Sequence, residues 1–97
     1  MNRKTLDRLH RRLKELRAAP ANITRKKLVG LSKSLGMRPD KRGKEPTYVS
    51  DDFPQLTPLS IPSHREINKF TAKDILDGLE IYIFAWKERL RQNQTEL

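Results

Sequence analysis

Cysteine is missing from this chain of 97 residues, which excludes disulfides and every thiolate-bound metal. Histidine is scarce. His10 and His64 stand far apart in the sequence, so no histidine-built zinc site is expected, and no cofactor either. Aromatic residues make up 6% of the chain, with a single tryptophan at Trp86. No apolar run nears the ~20 residues that a membrane span needs. The opening MNRKTLDRLHRR is basic without the apolar stretch of a secretory signal, so a cytoplasmic protein is expected. The length suits one domain, residues 1–97, with one modest core.

What is abundant is positive charge, and it is unevenly placed. The net charge is +9. Residues 1–44 hold fifteen Lys/Arg against Asp7, Glu15 and Asp40, whereas residues 45–97 hold six against nine acids. The first half is therefore about as cationic as a nucleic-acid-binding face, and RNA or another polyanion is the expected partner.

The leucines set the helices. In RKTLDRLHRRLKELRA, residues 3–18, Leu6, Leu9, Leu13 and Leu16 form a narrow seam at helical spacing, and basic residues cover the other faces. His10 falls off that seam and reads as surface. A second helix is expected from an N-cap at Asn22 or Thr24 to Leu35, with Leu28, Leu31 and Leu35 buried and Gly36 closing it. Residues 37–62 carry strand and turn signals: a first strand at 37–41, Thr47–Ser50, a turn at Asp51–Pro54, and a last strand at Leu56–Ile61. Pro58 pushes that last strand towards an edge. A capping-box-like Thr71-Ala72-Lys73-Asp74 opens a final helix to about residue 92, with Gly78 as a point where it bends or ends. The apolar stretch Ile81–Trp86 in that helix is the expected mate of the first helix's leucines.

The ordered set ITRKKLVGLSKSLGM, RGKEPTYVS and LSIPSHREINKFTAKDIL resembles the HicA family of toxins over residues 24–80. Its most specific piece is Leu59, Ile61, Pro62 and His64 against the family's V-P-x-H strand ending. The resemblance implies an α+β fold: a three-stranded antiparallel sheet packed by helices, as in a double-stranded-RNA-binding domain. Here residues 1–18 add a basic helix before that core and residues 81–97 extend its last helix. It also implies RNA as substrate or ligand, and a HicB-like antitoxin as partner. HicA toxins carry their catalytic histidine just after the glycine that corresponds to Gly43, and this chain has Glu45 at that place.

Three readings follow. In the first, the chain is an RNA-binding HicA-like protein with lost or altered ribonuclease activity. Its phosphate contacts would be Arg25, Lys26, Lys41, Arg42, Lys44, Arg65 and Lys69, since phosphates ask only for positive charge and donors. Glu45, between Gly43 and Pro46, then serves as a turn and strand-entry residue. In the second, Glu45 and His64 act as base and acid in a rearranged, metal-free ribonuclease site. In the third, the chain is a protein-interaction adaptor. A homodimer through Leu6, Leu9, Leu13, Tyr82, Phe84 and Trp86 is compatible with each.

Overall fold

The computed structural model describes residues 1–40 and 46–95. Helix α1 (Arg3–Ala18) starts at Asn2, whose side chain accepts from the Thr5 N–H at 2.8 Å. That bond satisfies one of the donors a helix leaves open at its first turn. Leu6, Leu9 and Leu13 are buried along the seam. Ala19 N–H reaches back to the Leu16 carbonyl, and a 3₁₀ turn at Pro20–Asn22 redirects the chain. Helix α2 (Arg25–Ser34) is capped by Thr24, which accepts from the Lys27 N–H. Gly36 ends it with φ 85°, a left-handed conformation that costs other residues a Cβ clash. Met37, next in line, is buried.

Strands β1 (Met37–Asp40), β2 (Thr47–Ser50) and β3 (Leu59–Ser60) form an antiparallel sheet with β2 at its centre. The register runs from Met37 opposite Ser50 to Asp40 opposite Thr47, and sets Tyr48 opposite Leu59. Tyr48 and Ser50, two apart and so on one face, are buried. β3 is shorter than the expected 56–61. Pro58 and Pro62 flank it without N–H donors, and the Thr57 carbonyl accepts from the Tyr82 hydroxyl at 2.8 Å instead of a strand.

Helix α3 (Lys69–Thr95) begins before the expected Thr71. Asn68 caps it, its side chain accepting from the Phe70 N–H and its carbonyl from the Ala72 N–H, both at 2.8 Å. Gly78 does not end this helix, which runs on to Thr95. A Cβ there would come within 2.4 Å of the Leu59 side chain, so the glycine lets β3 lie close against α3. The order from α2 to α3, helix, three strands, helix, is α+β and consistent with a double-stranded-RNA-binding-domain-like arrangement. α1 and the extended α3 are additions to it.

These two additions pack on each other. The leucines of α1 share one core with Leu79, Tyr82, Ile83 and Trp86. Trp86 donates its indole N–H to the Leu35 carbonyl at 3.0 Å, which closes the C-terminus of α2. Arg17 clamps the outer edge, 2.7 Å from Asp77 and 3.3 Å from Glu80. The expected homodimer face is therefore corrected. Leu6, Leu9, Leu13, Tyr82 and Trp86 are buried within the chain, and only Phe84 of the six is exposed. Among the described residues, no helix is long and apolar enough to cross a membrane.

His10 is a second correction. It is half-buried at the α1–α3 seam, its ring edge-on to Phe84 and its Nδ1 2.6 Å from the Lys87 ammonium. Burial lowers its pKa first, and the ammoniums of Lys87 and Lys14 add to this, while Glu80 and Asp7 oppose. An unprotonated Nδ1 accepts a hydrogen bond from the Lys87 ammonium, in keeping with the lowered pKa. Because the folded pKa lies below the unfolded value of about 6.5, this contribution is present above that pH and is lost as pH falls through the folded pKa. Urea midpoints should drop between neutral and mildly acidic pH in the native protein and drop less in His10→Gln. Parallel decline in both proteins would contradict this account.

Candidate nucleic-acid interface

A cationic cluster forms where two distant segments meet. Residues 23–25 run antiparallel to residues 65–67, bridged at Thr24 and Glu66. Arg25 N–H donates to the Arg65 carbonyl at 3.0 Å, and Ile67 N–H donates to the Ile23 carbonyl at 3.2 Å. Ile23 and Ile67 turn into the core. Their polar neighbours are left around a groove of about 600 Å³ lined by Thr24, Arg25, Lys26, Val29, Gly30, Lys33 and Arg65. Lys26, Gly30 and Lys33 recur at helical spacing, so α2 presents them along one face.

No carboxylate among the described residues pairs with Arg25, Lys26, Lys33 or Arg65. The acids that form ion pairs are engaged elsewhere: Asp77 and Glu80 with Arg17, Asp51 with Arg38, Asp52 with Arg89, and Glu88 with Arg91. Glu66 is exposed beside the groove and is its nearest acid in sequence. The Arg25 Nε is buried and has no hydrogen-bond partner. A buried guanidinium donor left open is costly unless an anion completes it. The other basic surface, along α1, differs in kind. There Lys4, Arg8, Arg11 and Arg12 share their grooves with Asp7 and Glu15.

Of the residues the sequence proposes, the fold brings Arg25, Lys26 and Arg65 together. Lys69 does not join them. It lines a separate groove with Arg17, Pro20, Phe70, Lys73 and Leu76. Lys41, Arg42, Lys44 and Glu45 lie outside the described residues, and with them the Glu45–His64 pairing. His64 is exposed on the segment just before Arg65. Two contributors were not among the sequence candidates, Lys33 and Gly30. The spacing of Lys33 from Lys26 was the available signal; nothing in the sequence marked Gly30. Compared with protein-family models, with curated proteins and with solved structures, the chain matches none.

Gly30 is informative because it weakens the helix that carries it. A Cβ at this position would meet nothing within 4 Å, so packing does not require glycine. Gly30→Ala should therefore stabilise the fold by about 0.5–1 kcal/mol, the usual helix-interior difference. Urea denaturation measures it, and a loss of stability would show that the space above Gly30 is needed by the fold itself.

Proposed function

We propose that this chain is an RNA-binding protein of HicA-like type that grips the phosphate backbone in the α2 groove without cleaving it. The observation that carries the reading is the groove's set of cations, which no described carboxylate neutralises. Phosphate is the anion that such a set suits, since it can take a bidentate Arg contact and several Lys contacts at once. Lys26 and Lys33 are separated by about 10 Å of helix rise, so each addresses a different phosphate. An absent side chain at Gly30 lets a sugar-phosphate backbone approach the helix closely.

The resemblance to HicA toxins supplies RNA over other polyanions, a cytoplasmic setting and a HicB-like antitoxin as protein partner. It also supplies the reason for binding without cleavage. The histidine that those toxins use is replaced by Glu45, and a carboxylate is a weaker base than an imidazole at neutral pH.

Affinity for RNA, followed against salt by fluorescence anisotropy, tests this. Log affinity should fall linearly with log salt, and Arg25→Ala with Arg65→Ala should flatten the slope by about one to two units. Gly30→Ala should bind more weakly although it is the more stable protein. Native protein should leave the RNA intact. Absence of binding at low salt, or an unchanged slope in the double variant, contradicts the reading. Cleavage abolished by Glu45→Gln and by His64→Ala would establish the rearranged nuclease in its place.

A further inference from the structure

Phe70 is the most exposed large hydrophobic side chain among the described residues, at 68%, ahead of Ile81, Phe84 and Met1. Its backbone is nevertheless fixed, because its N–H is held by the Asn68 cap. The ring stands on the rim of a groove of about 230 Å³ whose other walls are Arg17, Pro20, Lys69, Lys73 and Leu76. The Lys69 ammonium lies 5.3 Å from the ring centroid. Lys73 follows at helical spacing on the same face of α3, and both lysines are exposed. Arg17 contributes a wall but no free donor fork, since Asp77 and Glu80 hold its guanidinium.

We propose that Phe70, Lys69 and Lys73 form a nucleotide subsite: an unpaired RNA base stacks on the Phe70 ring while the two ammoniums take its phosphate. The inference rests on the RNA-binding reading and deepens it, because it selects single-stranded over fully paired RNA. A lone exposed aromatic is ordinary on a protein surface. This one combines a π-face, an adjoining apolar groove and two cations, which are the parts that a single-strand binder uses. An apolar partner would have no use for the two ammoniums, and a bare anion would have none for the ring.

The subsite follows the α2 groove closely along the chain. Arg65 and Lys69 are four residues apart, so their Cα atoms lie within about 14 Å of each other. A strand a few nucleotides long reaches from one to the other. The groove would then hold backbone, and Phe70 would read the presence of a base without regard to which base it is, since each offers a π-face.

The test compares a short single-stranded RNA, the same RNA with abasic positions, and an RNA duplex, against native protein, Phe70→Ala, Phe70→Trp and Lys69→Ala with Lys73→Ala. Phe70→Ala should weaken binding of the base-bearing strand about fivefold or more, with an unchanged salt slope, while Phe70→Trp retains affinity. On the abasic strand and the duplex, Phe70→Ala should bind as native does. The double lysine variant should lose affinity with a flatter salt slope. If Phe70→Ala binds the base-bearing strand as tightly as native protein does, the subsite is refuted and the groove reading stands. A uniform loss on all three RNAs also refutes it. If native protein binds none of the three at low salt, the RNA-binding reading fails, and the subsite with it.

Discussion

The hydrogen bonds that tie Arg25 to Arg65 and Ile67 to Ile23 join segments forty residues apart in the chain. They do so at the point where α2 begins and shortly before α3 begins. Everything said of the groove depends on them. Without that bridge, Arg65 would belong to a solvated loop, and the first turn of α2 would face water alone. With it, Ile23 and Ile67 are drawn inward, and Thr24, Arg25 and Arg65 line a shared groove. The bridge also positions Asn68 as the cap of α3, so the same local geometry sets where Lys69, Phe70 and Lys73 project.

Electrostatics in this fold is divided by place. Among the described residues, five acids of the second half form ion pairs, three with first-half arginines and two within their own half. Arg17 reaches across from α1 to Asp77 and Glu80, and Arg89 reaches from α3 to Asp52 at the turn after β2. Arg89 also lies over the Phe53 ring, 4.2 Å from its centroid, beside the edge-on Phe53–Trp86 pair. Exposed pairs of this kind contribute little stability singly, about 0–1 kcal/mol each. None of them draws on Arg25, Lys26, Lys33 or Arg65.

The sequence made α1 and α2 legible because their leucines recur at helical spacing and the ends of α2 carry Thr24 and Gly36, whose cap chemistry is local; the Asn2 cap of α1 was not read. It made β2 legible through Thr47-Tyr48-Val49. The start of α3 was misplaced because Thr71-Ala72-Lys73-Asp74 mimics a cap, while Asn68, three residues earlier, is the side chain that meets an open N–H. β3 shrank because strand propensity at Leu56 and Leu59 is interrupted by prolines that cannot donate. His10 was read as surface because a seam residue off the leucine stripe becomes half-buried only when α3 extends past Phe84 and Lys87. Arg25, Lys26 and Arg65 were legible as charges but not as neighbours, since a one-residue bridge between distant segments leaves no periodic trace. Lys69 was legible as a cation, yet the fold assigns it to Phe70.

The central claim is that RNA is held at the junction of α2 with the 65–67 segment. Backbone amide shifts of isotope-labelled native protein, followed by NMR as single-stranded RNA is added at low salt, test it most directly. The account predicts that the largest changes fall on Arg25, Lys26, Gly30, Lys33 and Arg65, with a second set at Phe70. Changes confined to the exposed face of α1, with the amides of Gly30 and Arg65 unmoved, would contradict it.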